Sequence, residues 1–237
     1  MAIKRQSKKK KAKIKKKNFF YLPLKLFFYF VAISIAWVLI YRVVNPPITW
    51  LMVQRNFEKT EAPKPFIKRK WINYDDLSSN LKKAAVASED ARFMQHGGFD
   101  TKAINEAYRK NKSGQPMRGG STISQQTAKN VFLWPHRSWI RKGFETWFTI
   151  LIEALWGKQR ILEVYLNVIE MGPHIYGAEA ATQYYFNKSA TSLTKRQAAL
   201  ITAILPNPRK WSPIKPTAYI NRKANTIVRY MNYSKIP

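Results

Sequence analysis

Apolar residues recur at every third or fourth position through most of the chain after residue 70. This period matches the α-helix, in which residues three and four apart share one face. Strand-like alternation is sparse and no internal repeat is visible. The pattern predicts a mainly α, compact domain with short loops, whose helices cover 77–96, 100–112, 121–133, 138–156, 158–170, 176–186, 193–204 and 216–232.

A different pattern precedes this domain, because residues 26–44 are almost continuously apolar and carry one charge, Arg42. A helix of this length spans about 28 Å, close to the hydrocarbon thickness of a bilayer. The lysines before it predict a cytoplasmic N-terminus and place the bulk of the chain across the membrane. The alternative is a cleaved signal peptide, but the apolar sequence continues past the small residues at 32–36, which favours a retained single transmembrane helix.

These patterns predict four segments. Residues 1–18 form a basic cytoplasmic tail that we expect to be disordered, and residues 19–44 form the transmembrane helix. Residues 45–70 are a juxtamembrane linker in which prolines at 46, 47, 63 and 65 prevent regular structure. The folded domain is expected to occupy 71–237.

The charge balance points to an anionic partner. The chain has 42 Lys and Arg against 13 Asp and Glu, a net charge of +29. Twelve of the cations lie in residues 1–42 and all the acids come later, so residues 43–237 still carry +17. Nucleic acid, anionic lipid head groups and phosphorylated substrates all fit such a field. The absence of cysteine excludes disulfides and thiolate chemistry.

The first chemical stretch is 87–100, which we predict to continue a helix from residue 81 until Gly97 and Gly98 end it. Glu89, Phe93 and His96 would then stand on one face, at i, i+4 and i+7. A carboxylate, a ring and an imidazole together can build an acid/base site, whereas most Glu–Asp pairs such as Glu89 and Asp90 are merely solvated.

The second stretch, 118–130, opens a helix with two glycines and then hydroxyl and amide groups. Either Ser121 or Thr122 can cap this helix. Exposed backbone N–H groups, hydroxyls, amides and one lysine suit a phosphate or a sugar, unless this is an ordinary polar helix start. The Walker spacing is absent, so a nucleotide loop is excluded. The candidate residues here are Ser121, Thr122, Gln125, Gln126, Lys129 and Asn130.

Three further stretches follow. In 137–156, Arg141 and Glu145 are an i, i+4 pair that is a surface ion pair, unless the Glu145 carboxylate is buried with partners or lines a cleft. In 161–186, apolar periodicity gives Glu163, Asn167 and Tyr176 structural roles. The stretch 198–208 predicts a packing helix that proline stops.

In this order the five stretches resemble the five motifs of the peptidoglycan glycosyltransferases, glycosyltransferase family 51. The matching runs are Glu-Asp-x-x-Phe-x-x-His-x-Gly-x-Asp at 89–100, Gly-Gly-Ser-Thr-Ile-x-Gln-Gln-x-x-Lys-Asn at 119–130, Arg-Lys-x-x-Glu at 141–145, Ile-Leu-Glu-x-Tyr-Leu-Asn at 161–167, and Leu-Pro-Asn-Pro at 205–208. The resemblance covers about residues 70–215 and implies a lysozyme-like helical domain behind a single transmembrane helix. The membrane anchor with Pro-Pro-Ile-Thr at 46–49 after it resembles the monofunctional, Gram-negative type of this family. Ser-x-x-Lys also occurs, but without Ser-Asp-Asn or Lys-Thr-Gly, so these runs do not indicate a transpeptidase site.

The resemblance also implies the chemistry: polymerisation of lipid II with inversion and release of polyprenyl diphosphate. It makes Glu89 the base and Glu145 a second carboxylate on the leaving-group side, which protonates, holds a metal or orders Arg141. It places Lys129, Arg141 and Lys142 at the diphosphate. The remaining substrate-binding residues would be Asp90, Phe93, His96, Ser121, Thr122, Gln125, Gln126 and Asn130, with His96 more suited to fixing its loop than to moving a proton.

The expected surroundings follow from the same resemblance. The protein would lie in the bacterial inner membrane with a periplasmic catalytic domain, contact lipid II, the growing glycan chain and other wall-synthesis or division proteins, and bind no nucleic acid. A divalent cation, Mg²⁺ or Mn²⁺, is compatible with this chemistry, and no organic cofactor is expected. The aromatic residues in 131–134 and Trp139 either dip into the membrane interface or belong to the core.

Two other functions stay open. A lysozyme-like lytic muramidase shares two carboxylates in a helical domain but needs water as the acceptor, and a neutral glycan needs no basic clamp. An anchored basic binding module explains the charge but not the stretches around Glu89 and Glu145.

Overall fold

The structure is a computed structural model that describes residues 2–58, 69–112 and 120–237. The chain divides into two compact units, one ending at Val43 and one beginning at Val44. The predicted mainly α architecture is confirmed: in the described residues the only sheet is one short hairpin.

The first unit is a single helix, α1 (Ala2–Val43), whose stretch Tyr21–Val43 is long and apolar enough to cross a membrane. The basic segment before it continues the same helix instead of being disordered as predicted. Lysine and alanine are good helix formers, and extending an existing helix avoids the cost of nucleation.

The predicted linker also contains a helix, α2 (Trp50–Phe57). The expectation that 45–70 lacks regular structure is therefore wrong for this segment, which lies between the proline pairs rather than at them. Thr49 caps α2 by accepting a hydrogen bond from the N–H of Met52 at 3.3 Å. Arg69 donates to the carbonyl oxygens of Pro46 at 2.7 Å and Pro47 at 2.8 Å, so residues before and after α2 are joined. Residues 63 and 65 lie outside the described residues.

The remaining helices agree with the sequence pattern to within a few residues, except at the first stretch. They are α3 (Ser79–Glu89), α4 (Thr101–Lys112), α5 (Ile123–Phe132), α6 (Trp139–Leu155), α7 (Lys158–Val168), α8 (Ala178–Phe186), α9 (Lys195–Ile204) and α10 (Ala218–Met231). A 3-10 turn covers Phe93–Gln95. Two groups pack closely: α5 with α6 and α7, and α3 with α9 and α10. The core holds fully buried side chains such as Trp156, Tyr165 and Leu162.

The hairpin consists of β1 (Glu170–Gly172) and β2 (Ile175–Tyr176), which pair antiparallel. It lies between the predicted helices 158–170 and 176–186 and takes one end residue from each. Gly177 follows with φ +81, and a Cβ there would come within 2.6 Å of the Asn167 carbonyl oxygen. Only glycine fits both the positive φ and this close approach, which ends the hairpin against α7.

Two polar residues of α7 hold the start of the domain. Asn167 accepts from the N–H of Ile72 and donates to its carbonyl, both at 2.9 Å. Glu163 accepts from the indole N–H of Trp71 at 3.0 Å and from the N–H of Tyr74 at 3.3 Å. The structural roles predicted for Glu163 and Asn167 are confirmed.

Candidate active site

Glu89 is the last residue of α3, and its half-buried carboxylate faces α5. Its Oε2 accepts a hydrogen bond from the Gln126 amide at 3.1 Å, and its Oε1 accepts from Ser88 Oγ at 3.1 Å. The carboxylate thus stands where the two helix groups meet, held by neutral donors.

The predicted common face of Glu89, Phe93 and His96 is wrong, because α3 stops at Glu89 and Asp90 leaves the helix with φ −159. The Asp90 carboxylate accepts hydrogen bonds from two groups outside α3, the N–H of Ile123 at 3.0 Å and His96 Nε2 at 2.8 Å. Burial raises the pKa of Asp90, and His96 and the Ile123 N–H only partly oppose that shift. Asp90 therefore ties the end of α3 to the start of α5.

His96 and Phe93 support this loop from inside. His96 Nδ1 accepts from the N–H of Gly98 at 3.1 Å, so Nε2 carries the proton that goes to Asp90. This agrees with a loop-fixing His96. Phe93 is fully buried, and the Lys158 ammonium lies 4.5 Å from its ring centre. The assignment of Phe93 to substrate binding is not supported, because a ring with no exposed surface has none to offer a ligand.

In the second stretch, Thr122 rather than Ser121 caps α5. Thr122 Oγ1 accepts from the N–H of Gln125 at 3.1 Å, while Gln125 Oε1 accepts from the N–H of Thr122 at 3.0 Å. This reciprocal pair is a capping box with glutamine in the place of the acid. Both side chains are buried and occupied, whereas Ser121 is exposed.

A cation-rich cavity of about 420 Å³ opens beside this helix. It holds five cationic side chains and one carboxylate. Its lining residues are Leu51, Arg55, Ser121, Gln125, Gln126, Lys129, Asn130, Leu133, Pro135, Arg137, Arg141, Lys142 and Glu145. Burial lowers the pKa of Lys129, and the neighbouring Arg141, Arg137 and Lys142 lower it further against Glu145. The cavity is therefore short of negative charge.

Glu145 is both buried and part of this cavity, so both predicted alternatives to a surface pair hold. Its residue exposure is 3%, its Oε2 accepts from Arg141 at 2.8 Å, and Lys142 donates to its Oε1. Arg141 is itself buried. A carboxylate with both oxygens on cations holds those cations in place, which favours the ordering role among the three that the sequence left open.

A second, larger cavity of about 810 Å³ adjoins the first one at the start of α5. Ser121, Gln126 and Lys129 line both cavities. The rest of its wall consists of Ala87, Ser88, Glu89, Leu205, Pro206, Tyr219, Arg222, Lys223, Thr226, Ile227 and Tyr230. Glu89 thus faces the larger cavity and contacts Gln126, which borders both.

The α10 members of this wall were missed by sequence reasoning. Tyr219 and Tyr230 are 53% and 54% exposed, although α10 buries its apolar face. Burial lowers the pKa of Lys223, and Glu89 opposes this shift. Tyrosines and cations on the polar face of one amphipathic helix are a sequence pattern that could have indicated a binding surface. Nothing in the sequence connects that helix with Glu89.

Among the described residues, one group of three side chains could supply ligands for the divalent cation that the sequence leaves as a prediction. Asp90, His96 and Asp100 bring ligand atoms within 4.8 Å of one another. Each is already engaged, since Asp100 pairs with Arg92 and accepts from the N–H of Ala103 at 2.9 Å. Glu145 is likewise covered by Arg141 and Lys142. These residues do not fit a resident metal ion.

The aromatic residues in 131–134 and Trp139 differ in their burial. Phe132 is 3% exposed and stacks on Phe148 with ring centres 4.5 Å apart. Trp139 is 92% exposed and Ile140 is 72% exposed. The first part is core, and the start of α6 presents apolar surface.

The helical domain therefore carries two neighbouring cavities, one rich in cations and one lined by Glu89 and two tyrosines. Residues 58–232 match the family model described as Transglycosylase, and the chain belongs to that family. The match begins within the segment predicted as a linker.

Similar curated proteins agree with this family. The chain is 52% identical over 206 residues to a biosynthetic peptidoglycan transglycosylase of Caulobacter vibrioides, covering 87% of this chain and 88% of the relative. Relatives of the same name from Pseudomonas fluorescens strain SBW25 and Bacteroides thetaiotaomicron are 50% and 49% identical, over 86% and 87% of this chain and 85% and 84% of theirs.

Proposed function

We infer that this protein is a membrane-anchored peptidoglycan glycosyltransferase that polymerises glycan chains from lipid II. The family match and the names of relatives about half identical over most of both chains support this activity. The observation that carries the mechanism is the position of Glu89, which lines the larger cavity and accepts a hydrogen bond from Gln126, a residue that also lines the cation-rich cavity.

In the proposed reaction Glu89 removes the proton from the 4-hydroxyl of one sugar. That oxygen then bonds to the anomeric carbon of a second sugar while the bond from that carbon to the diphosphate oxygen breaks. The electron pair leaves with the polyprenyl diphosphate, and attack from the opposite face inverts the centre. A positioned general base of this kind contributes about 10²–10⁴-fold.

The cation-rich cavity is proposed to bind the leaving diphosphate. Lys129, Arg137, Arg141 and Lys142 are already in place there, so charge that develops on the departing oxygen meets preorganised cations. Glu145 holds Arg141 and Lys142 in position. Ser121, Gln126 and Asn130 supply hydroxyl and amide groups for phosphate and sugar.

The larger cavity is proposed to bind the sugars. Its wall combines the exposed rings of Tyr219 and Tyr230 with Arg222 and Lys223. Tyrosine offers an apolar ring face and a polar tip, a combination suited to an amphipathic sugar.

A requirement for Mg²⁺ or Mn²⁺ stays a prediction. Measuring activity before and after EDTA treatment tests it.

The product separates this function from the two alternatives. Purified full-length protein in detergent is given labelled lipid II, and in parallel preformed glycan. Glycan chains longer than the disaccharide support the transferase. Soluble muropeptides from preformed glycan without chain growth would support the lytic muramidase instead, and binding without turnover of either would leave the binding module.

The N-terminal apolar helix fits a single-pass membrane anchor. The finer location is proposed from the lysines before it: inner membrane, cytoplasmic N-terminus and periplasmic domain. The chain has no cysteine, so Ser192→Cys on the exposed loop before α9 gives one thiol. Labelling of intact spheroplasts by a membrane-impermeant maleimide supports this orientation, and labelling only after lysis contradicts it.

Contacts with other wall-synthesis proteins stay a prediction.

A further inference from the structure

Helix α2, the first helix after the anchor segment, forms part of the cation-rich cavity. Leu51 and Arg55 both line it, and their i, i+4 spacing places them on one face of α2. α2 packs against α5, the helix that carries Lys129 and Asn130. Neither Leu51 nor Arg55 lies in the five stretches that drew attention in the sequence.

Arg55 is held by two carboxylates from different parts of the fold. Its Nη1 donates to Glu58 Oε1 at 2.6 Å, and its Nε lies 3.5 Å from Glu170 Oε2 in β1. Arg209, which follows α9, pairs with the other oxygen of Glu58 at 3.2 Å. Four formal charges therefore balance in this cluster, which we call the α2 clasp: Arg55, Glu58, Glu170 and Arg209.

The clasp is incompletely hydrogen-bonded. Arg55 Nε and Glu170 Oε1 are both buried, and neither has a hydrogen-bond partner among the described residues. The Glu170 side chain is 8% exposed, and burial raises its pKa against the opposing charges of Arg55 and Arg209. Keeping a carboxylate in such a position costs free energy, which makes a purely stabilising role for the pair a poor explanation.

We propose that Arg55 is a further substrate-binding residue, which donates hydrogen bonds to the diphosphate of the polyprenyl-linked substrate, and that Glu170 is the positioning residue that holds it at the cavity wall. This inference rests on the proposed function for the identity of the substrate. Because the clasp is balanced in charge, Arg55 contributes directed N–H donors rather than net positive field, and a guanidinium fork matches phosphate geometry.

Leu51 supports the same assignment. Together with Leu133 and Pro135 it adds apolar side chains to a cavity wall that also carries the five cations. A diphosphate ester of a polyprenol needs this combination, since its charged head continues directly into hydrocarbon. A free sugar phosphate would need the cations only.

The test measures binding of farnesyl diphosphate, a short polyprenyl diphosphate, to the full-length protein in detergent by isothermal titration calorimetry. Arg55→Gln should weaken binding about tenfold, the typical effect of losing charge-assisted hydrogen bonds. Arg209→Gln is the matched control, because it removes one cation from the same clasp but from outside the cavity lining. It should change the dissociation constant less than about twofold.

Glu170 is tested by a double-mutant cycle. Glu170→Gln alone should weaken farnesyl diphosphate binding about threefold and have no further effect in an Arg55→Gln background, because it acts through Arg55. Arg55→Lys, which keeps one cation but not the fork, should bind with intermediate affinity. Melting temperatures of all variants identify any loss of binding that comes from unfolding.

Equal effects of Arg55→Gln and Arg209→Gln, additive effects of the Glu170 and Arg55 changes, or no binding of farnesyl diphosphate by the wild type would each overturn the inference. Farnesol, which has the tail without the charge, should show the same weak binding to wild type and Arg55→Gln. The assay does not depend on turnover. If lipid II is polymerised but Arg55→Gln binds the probe normally, only this inference fails; if lipid II is not polymerised, the probe still reports on Arg55.

Discussion

Glu89 Oε2 and Gln126 Nε2 lie 3.1 Å apart and join the C-terminal end of α3 to the middle of α5. The Gln126 oxygen in turn accepts from the hydroxyl of the buried Tyr165 at 3.4 Å. Burial raises the pKa of Tyr165 well above its ordinary value, so this hydroxyl keeps its proton. The glutamine is thereby oriented with its amide towards Glu89.

Gln126→Met should lower kcat about tenfold, because it keeps the side-chain length but removes the donor that orients the proposed base. Tyr165→Phe removes only the longer contact behind the glutamine and should lower kcat by less than about threefold. Steady-state kinetics with labelled lipid II measure both. A larger effect from Tyr165→Phe than from Gln126→Met would contradict this orientation.

Diphosphate binding should weaken as pH rises towards the ordinary lysine pKa, because Lys129 must be charged to bind the diphosphate and burial lowers its pKa. The pKa of Lys129 lies below 10.5 in the free protein, and a bound anion raises it, so binding takes up a proton. The affinity is full below the free-protein pKa and is lost as pH passes through it. Calorimetric titrations with farnesyl diphosphate at several pH values test this, and Lys129→Arg, which does not titrate there, should show a flatter profile.

Tyr219→Ala and Tyr230→Ala should shorten the glycan chains about threefold, because each removes a ring from the wall of the larger cavity. Tyr233→Ala is the control, since Tyr233 is 79% exposed and follows α10 outside that wall. Gel separation of the products measures chain length. Equal shortening by all three variants would show that the cavity has no special part in binding the chain.

Gly177→Ala should lower the free energy of unfolding by about 1–3 kcal/mol through backbone strain and the close approach to Asn167. Gly143→Ala has the opposite expectation: it lies inside α6 with nothing within 4 Å of its added Cβ, so it should stabilise the protein by about 0.5–1 kcal/mol. Melting temperatures should therefore move in opposite directions, and a stable Gly177→Ala variant would contradict the account of the hairpin.

The sequence predicted the helices whose apolar faces are buried, because periodicity reports burial directly. It failed at Asp90, where two hydrogen bonds from distant residues end a helix that local pattern would continue. It also failed at α2 and the hairpin, whose few residues carry too little periodicity to read.

Some residues of the site could likewise be predicted from the sequence and others could not. Glu89, Lys129 and Glu145 were identified because their motifs resemble a known family, and the structure brings Lys129 and Glu145 into one cavity and Glu89 into the neighbouring one. Arg55 lines the cation-rich cavity from α2, which precedes the five stretches. Tyr219 and Arg222 line the larger cavity from α10, which follows them. Only the tertiary fold places them there, so no local pattern could have assigned them.

The assignment of Glu89 as the base is tested by polymerisation of labelled lipid II by wild type and Glu89→Gln, with farnesyl diphosphate binding measured on the same preparations. Glutamine keeps the size of the side chain and removes the base. We expect chain formation to fall at least about 100-fold while the dissociation constant stays within about twofold. Chain growth by Glu89→Gln at a rate near that of the wild type would contradict the assignment of Glu89 as the base and with it the proposed mechanism.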